Sequence, residues 1–172
     1  MKPKHAALVV VAVVASVAAV VFAALYFTTS SDDESAASQT CDNKIFGRIT
    51  SLTRTGEQYE MRFDPSLLTT GVTANTAAAE DGNVEPGEPV PNDSYEIDES
   101  DRALTYYVPA DAAVTVLTND GGGIMSTPVT VAELAELLDG GKPVELFEPL
   151  STGVWMRYHV DTACTLDQQY KP

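Results

Sequence analysis

Groups that ordinarily carry chemistry are scarce in this sequence. Histidine occurs twice, and only His159 lies beyond the first five residues. Cysteine occurs twice, at Cys41 and Cys164, too far apart for a metal-ligand motif and with no histidine pair to complete one. No serine stands in a Gly-x-Ser-x-Gly turn, which removes the nucleophile elbow of one hydrolase class. Gly121, Gly122 and Gly123 are followed by Ile124, Met125 and Ser126 rather than by a lysine or a helix start, so they read as a flexible turn and not a phosphate cradle. No fixed-period repeat is present, which excludes solenoids and propellers. No catalytic set and no cofactor is therefore expected.

Positive charge is also in short supply. The chain has 10 lysines and arginines against 25 aspartates and glutamates, a formal net charge of -15. Lys2 and Lys4 lie before position 27 and every acid after it, so the remainder holds 8 basic and 25 acidic groups, net -17. Such a surface repels nucleic acid and anionic lipid at long range, and nucleic acid is not expected as a partner. It attracts cations or a basic partner, and it equally suits a plain solubilising surface or tolerance of salt.

What the chain does have is one long apolar run. Residues 6–27, AALVVVAVVASVAAVVFAALYF, contain no charge and no proline. As a helix they would reach about 33 Å, enough for a hydrocarbon core of about 30 Å. Lys2 and Lys4 precede the run, and Asp32, Asp33 and Glu34 follow it. The positive-inside rule then places residues 1–5 in the cytoplasm and the C-terminal part outside. The alternative is a signal peptide cleaved near Ser35, Ala36 and Ala37 and a secreted product; the run is longer than the usual apolar core of about 7–15 residues. Residues 28–40 form a polar linker with too little apolar surface to fold. Residues 41–172 are of a size for one extracytoplasmic domain.

Export implies oxidising conditions, so Cys41 and Cys164 are expected to bridge and to tie the approach to the first strand to the last one. Two free thiols or an intermolecular bridge are the alternatives.

Period-two patterns dominate the domain. Residues 45–63 read as a hairpin turning at Gly56, with Tyr59, Met61 and Phe63 inward, Glu60 and Arg62 outward, and Asp64 and Pro65 as its end. Residues 67–101 read as irregular, with a short helical turn capped by Asn75 or Thr76 and a strand starting at Tyr95 and Ile97. Leu104, Tyr106 and Val108 mark a strand, and Val114 to Leu117 another. Thr130 and Glu133 form a capping box for a helix ending at Gly140. Val154, Met156, Tyr158 and Val160 point to one side of a strand; Trp155, Arg157, His159 and Asp161 point to the other. Leu166 to Tyr170 make an edge strand or a surface tail. The fold class is mainly β (α+β): a small OB-like five-stranded barrel, or an open sheet, with one short helix, preceded by the transmembrane helix.

Four candidate sites follow. Trp155, on the polar face of its strand, is either an exposed anchor for a partner or a residue covered by loop or helix. Asp93 and Tyr95 lie on a proline-fixed loop that can present a binding surface or simply connect. Asp93, Glu96, Asp98, Glu99 and Asp101 are close enough to surround calcium, though their spacing is not that of an EF-hand. His159, between Arg157 and Asp161, reads as part of a surface charge ladder more readily than as a catalytic base.

The stretches GVTANTAAAEDG (71–82), EPGEPVPND (85–93), LTYYVPADAAVTVLT (104–118) and LDQQY (166–170) resemble an uncharacterised family of exported actinobacterial envelope proteins. That family has no assigned activity. The resemblance implies an envelope location and transfers no functional residue. The expected role is a non-enzymatic, membrane-anchored module that binds an envelope protein or cell-wall component. A calcium-binding or calcium-stabilised domain and an unrecognised enzyme are the alternatives.

Overall fold

A computed structural model describes residues 41–98, 102–119 and 121–171. The expected membrane segment 6–27, the linker 28–40, and Glu99 and Asp101 lie outside the described residues. Among the described residues no helix is long and apolar enough to cross a membrane.

The described residues form eight strands and two short α-helices: β1 (Asn43–Thr55), β2 (Gln58–Thr70), α1 (Gly71–Glu80), β3 (Ser94–Ile97), β4 (Leu104–Pro109), β5 (Ala113–Asn119), β6 (Ile124–Val129), α2 (Val131–Leu138), β7 (Val154–His159) and β8 (Thr162–Gln168). The class is mainly β, α+β, as the period-two patterning predicts. β1 pairs with β2 on one side and β7 on the other, both antiparallel. β2 pairs with β4 and β7 with β8, again antiparallel. Tyr107 of β4 meets Thr162 of β8 in parallel. β5 continues along β8, also parallel, and carries β6 on its far side. β3 extends β2.

Alternation builds the core. Tyr59, Met61 and Phe63 of β2 are buried while Glu60 and Arg62 between them are exposed. Tyr106 and Val108, Val114 and Val116, Val154 and Met156, and Ala163 and Leu166 add the inward residues of four more strands to the same cluster. Burying each large apolar side chain is worth about 1.5–3 kcal/mol relative to leaving it in water. α2 closes the cluster with Val131 and Leu134, and its capping box is formed as expected: Thr130 Oγ1 accepts from the Glu133 backbone N–H, and Glu133 accepts from that of Thr130. Gly56, at φ +67°, makes the β1–β2 turn. Gly47 is required for another reason: a Cβ there would lie 2.2 Å from the Asp64 carbonyl oxygen of the neighbouring strand.

Five local expectations are corrected. Asp64 and Pro65 do not end the second strand. Pro65 lies between the β4 pairing, which stops at Phe63, and the β3 pairing, which starts at Leu67. There β2 pairs with β1 alone, and a strand position with one open side is where proline is tolerated. The region after 67 is not irregular, because residues 71–80 form a full helix. It starts after Thr70 and has no side-chain cap. Asn75 accepts from the Val90 backbone N–H at 2.8 Å and Thr76 donates to the Val72 carbonyl, so neither caps it. The helix buries Ala74 and Ala78 against Val90 and Tyr95 in a small satellite cluster. Residues 124–129, unassigned from sequence, form β6. Val160 does not face the core: it is 74% exposed at φ +54°, in the turn between β7 and β8. Finally, β8 is no edge strand, since β7 lies on one side of it and β4 and β5 on the other.

The disulfide joins Cys41 to Cys164, with Cα atoms 6.4 Å apart. Cys164 occupies the irregularity in the β7–β8 register, where Arg157 pairs with Thr165 but Tyr158 pairs with Ala163. The bridge ties the start of β1 to β8 across a separation of 123 residues.

A basic and aromatic face on strands β1 and β7

Strand alternation puts Lys44, Phe46 and Arg48 on one face of β1. The β1–β7 register sets Phe46 opposite Trp155 and Lys44 opposite Arg157. Four of the eight basic residues beyond position 27 meet here: Lys44, Arg48, Arg157 and, from the C-terminal segment, Lys171.

The floor of this face is aromatic. Phe46 is 2% exposed, with its ring centroid 5.2 Å from that of Trp155. Gly153 makes room for Phe46, because a Cβ at Gly153 would lie 2.3 Å from the Phe46 ring. The Lys44 ammonium sits 4.0 Å above the Trp155 ring, and the Lys171 ammonium 5.6 Å above that of Phe46. Trp155 Nε1 donates to Gln169 Oε1 at 2.8 Å. Trp155 is thus half-buried: its ring supports a cation and its N–H holds the C-terminal segment.

At one end the charges are paired, two cations to one carboxylate. Arg48 pairs with Glu96 of β3 at 2.6 Å, and Lys171 pairs with the second Glu96 oxygen. Ser66 donates to Glu96 at 2.7 Å. Burial pushes the Glu96 carboxyl up. The hydrogen bonds from Lys171 and Ser66 and the charges of Lys171 and Arg48 outweigh that and hold it below the ordinary carboxylate value. At the other end they are not paired. Lys44 and Arg157 are both exposed and lie directly opposite one another, and among the described residues neither has an ion-pair partner. Like charges in that position repel. Asp167, opposite Trp155, accepts from Thr115 and Thr165.

The other expected site residues lie apart from Trp155. Asp93 is exposed, at φ +54°. Tyr95 packs into the satellite cluster; its hydroxyl donates to Asp81 at 2.8 Å and accepts from Asn83 at 2.6 Å. The bond to Asp81 raises the Tyr95 pKa, helped by desolvation and the Asp81 charge. Of the acids proposed for calcium, Glu96 is held by its own cations, and among the described residues no group of three or more histidine, cysteine, aspartate or glutamate side chains is placed to hold a metal ion. His159 is exposed at the end of β7, and Asp161 accepts from Thr162 rather than orienting the imidazole. Asn119 accepts from the Gly121 N–H at 2.8 Å, a side-chain turn that closes the glycine segment. A groove of about 770 Å³ runs between the end of α2 and residues 142–149, beside Leu137, Val144, Leu146 and Phe147.

Of the residues expected at a site, Trp155 lies in this face, and its neighbours Lys44 and Phe46 were not among those expected. The alternation of Lys44, Phe46 and Arg48 was visible in the sequence, but the partner strand was not. No family model, curated protein or solved structure matches the chain.

Proposed function

We propose that the chain is a non-enzymatic binding module of the cell envelope, anchored by residues 6–27 and holding its folded part on the outer side of the membrane. The observation that carries this is the β1–β7 face: an acidic chain gathers four of its ten basic residues around its only tryptophan, and among the described residues two of the four have no counter-ion. The apolar run after Lys2 and Lys4 supports the anchor and its orientation. The disulfide fits an oxidising compartment. The resemblance to exported actinobacterial envelope proteins agrees with that location.

The scaffold we propose is an OB-like barrel of β1, β2, β4, β8 and β7. Its support is the cycle of pairings from β1 through β2, β4, β8 and β7 back to β1, with β4 parallel to β8 and α2 preceding β7 in the chain. β3 extends one side of this cycle, and β5 and β6 the other. Fold analogy carries no ligand, so the function rests on the face alone. A calcium-dependent role has less support, because Arg48 and Lys171 already neutralise Glu96.

Cross-linking of the full-length protein in cells, followed by mass spectrometry, tests the proposal. A reproducible partner lost when residues 41–172 are deleted and the anchor kept is the expected result. Recovery of the same envelope proteins with the anchor alone refutes it.

A further inference from the structure

We infer, resting on the binding-module reading, that the β1–β7 face docks an acidic polysaccharide chain, with Lys44 and Arg157 sharing one of its anionic groups. Three observations lead there. First, Lys44 and Arg157 stand opposite each other in the register of the strand pair, and among the described residues neither has an ion-pair partner. Their repulsion is removed by an anion placed between them, and a hydrogen bond from each charged donor makes that contact strong. Second, cations recur along the face. Lys44 and Arg48 stand four residues apart on β1, about 13 Å at the rise of an extended strand, and Arg48 and Lys171 share the single carboxylate of Glu96, which leaves one surplus positive charge at that end. A row of that length suits anions repeated along an extended polymer better than a single small ion. Third, Trp155 is half-buried with Lys44 over its ring, so its open edge gives an apolar flank to a sugar ring while Lys44 reaches a charge attached to it.

Other polyanions fit less well. Single-stranded nucleic acid needs exposed rings on which bases stack. Here Phe46 is 2% exposed and a lysine covers the Trp155 ring. The net charge of -17 beyond position 27 also repels so dense a polyanion. An acidic peptide would need a pocket for its side chains. Phe46 fills the space between the strands, and Lys171 and Gln169 hold the C-terminal segment over them.

The sole tryptophan of the chain lies in this face, so its fluorescence reports directly on occupancy. The experiment titrates the full-length protein, in nanodiscs of neutral lipid, with polygalacturonate, with neutral dextran and with polyglutamate, at low and high salt. The expected result is a saturable change in Trp155 emission with polygalacturonate only, weakened by salt. The Lys44→Ala/Arg157→Ala variant should lose about tenfold or more in affinity. Arg54→Ala/Lys142→Ala, which removes the same charge elsewhere, should bind as the parent does. Equal melting temperatures for the two variants establish that neither has unfolded. No response to polygalacturonate, equal losses in the two variants, or equal binding of polyglutamate would each overturn the inference. A cross-linked protein partner found in cells together with no polygalacturonate binding would end this inference and leave the binding-module proposal standing.

Discussion

Opening the Cys41–Cys164 bridge should cost this protein a large part of its stability. The bridge closes a loop across a separation of 123 residues. Chain-entropy arithmetic, with a constant and a logarithm of that length, puts the constraint on the unfolded chain at about 5 kcal/mol at room temperature. Domains of this size are stable by about 5–15 kcal/mol in all, so the reduced form should lie near its folding limit. In a thermal melt each kcal/mol moves the midpoint by about 3–4 °C at this chain length, which predicts a fall on the order of 15 °C. The folded contacts should survive, because β1 still pairs with β2 and β7, and β8 with β7 and β5. The assay is denaturant unfolding of Cys41→Ser/Cys164→Ser beside the parent, followed by far-ultraviolet circular dichroism. Native-like spectra in water with a much lower midpoint are expected. The denaturant slope should rise, since the uncrosslinked chain exposes more surface when it unfolds. A midpoint within about 1 kcal/mol of the parent would refute the entropic reasoning and mean that the unfolded chain is already compact.

The remaining predictions concern single side chains. Glu96 is held below the ordinary carboxylate value, so its contribution is complete above the unfolded carboxyl pKa of about 4.3 and fades as pH falls through the lower folded value. Glu96→Gln should therefore destabilise at neutral pH and flatten the acid limb; urea midpoints from pH 6 down to 3 that stay parallel to the parent would contradict this. Gly153→Ala forces φ +112° on an alanine and drives its Cβ into Phe46, which should cost about 2–4 kcal/mol, whereas Gly121→Ala meets only the backbone penalty of about 1 kcal/mol in open space. Similar chemical-denaturation midpoints for the two would show that the Phe46–Gly153 contact is not tight. Phe63→Ala, at a fully buried position in the core, should lose about 3–5 kcal/mol by the same assay. Thr130→Ala should lose about 1 kcal/mol by removing the cap of α2, and an unchanged midpoint would mean that packing of Val131 and Leu134 alone holds that helix.

Where a pattern was local, it was legible. Tyr59, Met61 and Phe63 announced a strand because side chains two apart share a face, and Thr130 with Glu133 announced a helix because the cap uses atoms three residues apart. The misjudged elements share a different cause. Pro65 reads as a strand end unless one knows which side of β2 is unpaired there. Residues 71–80 carry no strong apolar stripe; they are helical because Ala74 and Ala78 find Val90 and Tyr95, which lie beyond a loop rich in proline and glycine. β6 exposes Ile124 and Met125 and contains Pro128, so it is a strand chiefly because β5 offers it an edge.

The candidate face divides in the same way. The acidic balance, the apolar run, the pair of cysteines, and the side of its strand on which Trp155 lies are set by composition or by neighbours within a few residues. That Phe46 lies beneath Lys171 and beside Trp155, that Lys44 stands opposite Arg157, and that Glu96 holds Arg48 and Lys171 became visible in the folded chain alone. Those contacts span about a hundred residues or close across three strands. Strand register sets them, and register follows from the packing of the whole core rather than from any local stretch of chain.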